Sequence, residues 1–148
     1  MHAMPSFRLS EAVSPVCLPS KSDAAASDLT GATATVIGWG KISETGTTAS
    51  DLHMLEDRTV ISNEECLATF DNIKKTHICV SAADHAGVCN GDSGGPLLVR
   101  GGDGRYTQVG ITSFGSSESC SSDKPKAFTR VGEFLDWIER KTAIVIEE

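Results

Sequence analysis

The sequence predicts an all-β fold: an antiparallel barrel or sandwich with short helices at its margins. Apolar, β-branched runs such as 33–37, 96–100 and 106–114 are short enough for strands. Fourteen glycines and several polar clusters punctuate those runs with turn signals. Aromatic residues make up only 5%, which suits a turn-rich strand protein better than a helical bundle.

The elements follow in order. Residues 19–31 are polar and small, and predict a loop. Thr33 to Ile37 is a strand ended by the turn Gly38-Trp39-Gly40. Ser43 to Ser50 is a loop, and Leu55 to Ile61 alternates weakly as a strand. Ser62-Asn63-Glu64-Glu65 has the spacing of a capping box, so a short helix should run to Phe70. Strands are expected at His77 to Ser81, Pro96 to Arg100 and Tyr106 to Phe114, with a hairpin-type turn at Gly101–Gly104. Ala127 to Val131 is the last strand. Glu133 to Lys141 reads as a terminal helix, because Phe134, Leu135, Trp137 and Ile138 share a helical face. The tail from Thr142 to Glu148 is short and apolar before two acids, as a helix end or docked extension would be.

Composition narrows the function. The formal charge of −7 argues against non-specific nucleic-acid binding, which needs a basic face. No stretch approaches the roughly 18 apolar residues of a membrane helix. Five cysteines (Cys17, Cys66, Cys79, Cys89, Cys120) form no Cys-x-x-Cys pair, so a zinc site is not expected. Their count alone fits either two bridges with one cysteine over or five buried thiols. The N-terminus has no basic and apolar signal regions, so a secreted protein would not naturally begin here.

Gly91-Asp92-Ser93-Gly94-Gly95-Pro96 is the stretch that carries chemistry. A nucleophilic serine needs an exposed hydroxyl and backbone N–H groups aimed at the developing oxyanion. Glycines beside it let the chain turn sharply and approach a substrate. A Gly-rich turn with an Asx or Ser hydrogen bond is the plain alternative. The string also fits Gly-x-Ser-x-Gly, the nucleophile elbow of α/β-hydrolases. That elbow opens a helix, whereas Pro96-Leu97-Leu98-Val99 reads as a strand. It also places its histidine after the serine, whereas His2, His53, His77 and His85 all precede Ser93.

The full six-residue string resembles the active-serine motif of the trypsin/chymotrypsin-like serine proteases. Further matches follow in order. Val16-Cys17-Leu18-Pro19 resembles the link between the two barrels, and Gly38-Trp39-Gly40 the family's characteristic turn. Ser113-Phe114-Gly115 resembles the Ser-Trp-Gly strand that binds substrate backbone, with Phe for Trp. Phe128-Thr129-Arg130-Val131 and Leu135-Asp136-Trp137-Ile138 resemble the last strand and terminal helix. The style is that of arthropod digestive or effector proteases.

This resemblance implies the six-stranded Greek-key barrel that is the second of the two, with a short intermediate helix and a C-terminal helix. Residues 1–31 would be interbarrel linker and loop, 32–132 the C-terminal barrel, and 133–148 helix and tail. It implies bridges Cys66–Cys79 and Cys89–Cys120, each adding roughly 3 kcal/mol. A further family bridge is missing, its positions holding Ala34 and Val99. Cys17 is left unpaired in this chain, and in many relatives its counterpart pairs with a propeptide cysteine. A secreted, disulfide-bonded zymogen is implied.

The implied activity is serine endopeptidase. Ser93 would be the nucleophile, the Gly91 and Ser93 N–H groups the oxyanion hole, and Asp92 the partner of the ammonium freed by activation cleavage. Ser113, Phe114 and Gly115 would bind substrate backbone. Gly87 takes the pocket-floor position, where trypsin specificity needs an Asp, and Lys126 takes the wall. Relatives that prefer acidic side chains carry a basic residue there. A Lys126 turned outward would instead leave a neutral pocket for aromatic or aliphatic residues. No metal or cofactor is required. The partners would be a peptide or protein substrate, protein protease inhibitors and the missing N-terminal barrel, with no nucleic acid and no membrane.

The triad's His and Asp would lie upstream of Met1. His85 is the best local candidate for a base, but the resemblance places it near the pocket floor. Ser93 alone would be a poor nucleophile, and an unpaired Asp92 would leave its loop disordered or zymogen-like. The alternatives are a non-catalytic protease homologue that binds a partner, and a truncated fragment.

Overall fold

The structure is a computed structural model that describes residues 6–26, 28–43, 45–115 and 120–148. Its strands are β1 (Thr33–Gly38), β2 (His53–Ile61), β3 (His77–Val80), β4 (Pro96–Arg100), β5 (Tyr106–Phe114) and β6 (Lys126–Arg130). All pairings are antiparallel, and the order β1-β2-β3-β6-β5-β4 closes on itself. Strand β4 returns beside β1, giving the Greek-key order β4-β1-β2-β3. Closure leaves no free sheet edge, which explains how such short strands are held.

The barrel interior is filled by Ala34, Val36, Val60, Ile78, Val80, Leu97, Val109 and Phe128. A second cluster lies around Ile61, Cys66, Ile73, Cys79 and Ala127, with Phe70 and Phe114 against it. Among the described residues the α-helices are α1 (Lys21–Ala26), α2 (Asn63–Leu67) and α3 (Leu135–Thr142), and α2 is the short helix expected after Ser62. The Ser62 side chain accepts the Glu65 N–H at 3.0 Å and caps α2, as the sequence motif demands. The Cys66–Cys79 bridge then ties α2 to β3.

Strands β4 and β5 coincide with their sequence-predicted spans. Differences lie at the margins. Residues 19–31 are not all loop, because Lys21–Ala26 is helical. Three alanines favour that helix, and the Ser20 hydroxyl accepts the Asp23 N–H at 3.0 Å at its start. Helix α2 stops at Leu67 rather than Phe70, with Ala68 as its cap. The last strand begins at Lys126, one residue early, and ends at Arg130. The terminal helix enters through a 3₁₀ turn at Val131–Phe134.

Beyond α3 the chain turns at Ala143, in the left-handed region, and folds back. Ile146 is buried with Val131 and Leu135, and its N–H donates to Glu139 Oε1 at 2.8 Å. The tail is therefore a docked extension. Lys21 on α1 completes the dock with a 2.9 Å ion pair to Glu139. Ala34 and Val99 are register partners across β1 and β4, so the positions matched to the missing bridge do lie opposite each other.

Candidate active site

The segment between β3 and β4 carries Ser93. It is fastened at several points within a few residues. The Cys89–Cys120 bridge anchors its start. The Asp92 N–H donates to Cys89 O at 3.0 Å, and the Gly95 N–H to Asp92 O at 2.9 Å. Across the gap to β5, Gly94 N–H donates to Thr112 O at 3.0 Å, and Thr112 N–H to Gly95 O at 2.8 Å. Gly91 has φ of 104°, a conformation that a side chain would resist. The result is a tight turn with Ser93 exposed at its crest.

Two features of this turn suit acyl chemistry. The Gly91 and Ser93 N–H groups have no acceptor among the described residues. The Ser93 hydroxyl likewise has no hydrogen-bond partner among them. N–H groups left open beside an exposed hydroxyl are what an oxyanion requires.

The Asp92 side chain points away from Ser93's face, into the Gly38-Trp39-Gly40 turn. Its Oδ1 accepts the Gly40 N–H at 2.8 Å, and its Oδ2 accepts the Cys89 N–H at 2.9 Å. A Cβ on Gly38 or Gly40 would run into that carboxylate. Both glycines are thus steric requirements of Asp92. The carboxylate expected to stand unpaired is satisfied by backbone donors, and the loop, expected to be disordered or zymogen-like, is held on both sides. Beside the carboxylate is a cavity of about 250 Å³, bordered by Gly40, Lys41, His53, His85 and Asp92.

A second cavity, about 240 Å³, opens at Ser93 and runs between Val88–Asn90, Thr112–Gly115 and Lys126. Lys126 is 3% exposed. Its stem lies in a slot between Gly87 and Gly115: a Cβ on Gly87 would come within 2.8 Å of Lys126 Cε, and one on Gly115 within 3.0 Å of Cδ. Its Nζ lies 3.5 Å from Ser122 Oγ. The lysine therefore lines the cavity instead of turning outward to solvent. Sequence reasoning passed over Thr112, which also lines this cavity and whose buried Oγ1 lacks a partner. Burial inside a strand gave it no sequence signal.

Strand β4 begins at Pro96, opposite Ile111. Ser113, Phe114 and Gly115 continue past that last β4 partner along the cavity. The ring of Phe114 turns to the second core cluster, edge-on to Phe70 at 5.3 Å. Its backbone is left along the cleft.

No described histidine hydrogen-bonds to Ser93. His85 Nδ1 is 3.1 Å from Ser121 O. His77 Nδ1 accepts the Lys74 N–H at 3.0 Å, and its ring packs edge-on to Phe114. His53 lies exposed at the start of β2, and His2 lies outside the described residues. Cys17 is a free, half-buried thiol bridged through its backbone to Thr107 of β5. Among the described residues no three His, Cys, Asp or Glu gather as metal ligands.

Comparison with known proteins bears directly on this geometry. The trypsin family model matches residues 1–138. Brachyurin of Leptuca pugilator is 40% identical over 114 residues, covering 77% of this chain and 48% of that protein. Chymotrypsin of Phaedon cochleariae is 40% identical over 122 residues, covering 82% and 41%. The solved structure of HL collagenase superposes with a TM-score of 0.82 at 33% identity, covering 96% of this chain and 59% of that one. The chain spans about half the length of the curated relatives it matches.

Proposed function

The chain belongs to the trypsin family of serine peptidases, and on that premise we propose that it is the serine-bearing half of a secreted endopeptidase. Ser93 attacks the peptide carbonyl and forms the acyl-enzyme. The Gly91 and Ser93 N–H groups receive the oxyanion. The observation that carries this reading is the exposed Ser93 hydroxyl at a cavity, in a turn whose Gly91 and Ser93 N–H groups have no acceptor among the described residues.

The His and Asp of the triad would come from a preceding barrel, a reading supported by the chain's match to about half the length of its curated relatives. Without such a base Ser93 retains only the weak assistance of its oxyanion donors. Asp92, bordering the 250 Å³ cavity, receives the ammonium freed by activation cleavage. Substrate backbone adds as a strand along Ser113–Gly115. Lys126, buried against the cleft, favours an acidic side chain at the cleaved position through a charge-assisted hydrogen bond. Gly87, packed against the Lys126 stem, offers no carboxylate to a basic one. The two disulfides suit an oxidising compartment outside the cell, and among the described residues no helix is long and apolar enough to cross a membrane.

The test is made on the native protein from its source. Its N-terminal sequence and non-reduced mass are determined before and after treatment with a fluorophosphonate. The expected result is an upstream segment carrying His and Asp, and one adduct on Ser93. A protein without that segment and without an adduct would instead be a binding homologue.

A further inference from the structure

An asparagine followed by a glycine is a reactive pair. The glycine nitrogen is unhindered, and it can close a five-membered ring on the asparagine side-chain carbonyl. The sequence holds one Asn-Gly pair, Asn90-Gly91, and one Asp-Gly pair, Asp103-Gly104. Their surroundings differ. The Gly104 N–H donates to Gly101 O at 2.9 Å. Arg105 bonds the Asp103 carboxylate and holds it below its ordinary range, so it stays an anion that repels a nucleophile. Asn90 and Gly91 are both exposed. Neither the Asn90 side chain nor the Gly91 N–H has a hydrogen-bond partner among the described residues.

We propose that Asn90-Gly91 is a self-modification site that switches off an oxyanion donor of the serine loop. The exposed Asn90 side chain is free to rotate over the next peptide unit. The Gly91 nitrogen gives its proton to hydroxide and attacks Asn90 Cγ. The new N–C bond closes a succinimide, and the side-chain nitrogen takes a proton from water and leaves as ammonia. Water then opens either carbonyl of the ring. One opening leaves aspartate at position 90. The other leaves isoaspartate, with the main chain running through the former side chain. Water and hydroxide are the only co-reactants.

The chemical step stands on the Asn-Gly pair alone, whereas its effect on turnover rests on the peptidase reading of Ser93. In the succinimide the Gly91 nitrogen carries no hydrogen, so one of the two oxyanion donors is gone. In isoaspartate the N–H returns, with an extra carbon in the main chain before it. The loop has little slack to absorb that carbon. The Lys41 N–H holds Asn90 O at 2.9 Å on one side, and the Asp92 carboxylate holds the Gly40 and Cys89 N–H groups on the other. Either product also places a negative charge on a residue that lines the cavity with Lys126. There it competes with an acidic substrate side chain for the ammonium. The other two asparagines are less ready. Asn63 Nδ2 donates to Lys74 O at 2.9 Å, and Asn72 precedes the buried, β-branched Ile73.

The test ages the native protein in mildly alkaline and mildly acidic buffer. Peptide mapping by mass spectrometry and enzymatic methylation of isoaspartate follow the modification. Conversion at position 90 should outrun conversion at Asn63 and Asn72 by roughly tenfold or more, and its rate should rise with hydroxide. Peptide hydrolysis and fluorophosphonate labelling should fall with the same time course. Asn90→Gln, whose ring would need one more carbon, and Asn90→Ser, which has no amide, should each keep its own starting activity over that period. Asn90 left intact in alkaline buffer overturns the proposal. So does full conversion at position 90 with activity undiminished, or equal loss of activity in Asn90→Ser. A protein with no hydrolytic activity at the outset would count against the peptidase reading, and conversion at position 90 would then decide this proposal by itself.

Discussion

The Ser93 loop and the α1–tail end of the molecule are both built from irregular chain, yet they are held in opposite ways. The serine loop is fixed by a disulfide, short backbone hydrogen bonds and a carboxylate that fills a turn of glycines. Its neighbours leave no room for a side chain at Gly38, Gly40 or Gly87. The α1–tail end is held by partly exposed ion pairs and one buried isoleucine. Directional bonds give a position with little tolerance, which a nucleophile and its oxyanion donors need. Solvated charges and alanines hold an element in place with wide tolerance.

The largest effect expected of any substitution is at the nucleophile. Ser93→Ala in the native enzyme should abolish fluorophosphonate labelling and peptide hydrolysis while leaving the melting temperature nearly unchanged. The same experiment at Ser22, in the α1 end, should leave both as they were. Next comes the cleft wall. Lys126→Ala should lower kcat/KM for peptides with Asp or Glu at the cleaved position by roughly 10–100-fold, the worth of one charge-assisted hydrogen bond. An unchanged ratio of acidic to apolar substrates would remove the lysine from specificity.

Stability should separate the two regions as clearly. Replacing both Cys89 and Cys120 by Ala releases a loop of sequence separation 31, with an expected loss of ~3–4 kcal/mol in denaturant unfolding. Asp92→Ala leaves the Gly40 and Cys89 N–H groups without acceptors, with an expected loss of about 2–4 kcal/mol. Asp92→Asn keeps one acceptor oxygen and should lose less.

The smallest effect belongs to the tail. Glu139 is held below its ordinary carboxylate range, first by the Ile146 N–H and then by Lys21. Lys21 is held above its ordinary range, first by Glu139. The pair therefore helps the fold between the two ranges. Its help is lost as pH falls through the lowered Glu139 pKa, or rises through the raised Lys21 pKa. The protection factor of the Ile146 amide should fall on acidification before those in β4 or β5 do. Equal loss of protection in all three would show that the tail is no looser than the barrel.

Much of this architecture was legible beforehand, for reasons particular to each element. Strands β4 and β5 were readable because a proline, a Gly-Gly-Asp-Gly turn and apolar runs delimit them locally. The α2 start was readable because its cap lies three residues from its acceptor. Helix α1 was missed because its alanines sit among turn-favouring Ser and Asp, and its capping bond weighed less than that composition. The backbone donors of Asp92 were not legible because one of them, Gly40, lies 52 residues away. The slot for Lys126 was invisible for the same reason, its two glycines lying on different segments.

The amino-acid sequence by itself determined the all-β class, the succession of strands along the chain and the choice of Ser93 as the candidate nucleophile. Those follow from local pattern: side-chain periodicity, turn residues and a six-residue motif. Tertiary structure alone decided that Asp92 is satisfied within the chain and that Lys126 lines the cleft. Each depends on residues distant in sequence meeting at a distance of a few ångströms, and close packing is a property of the closed barrel and of no segment within it.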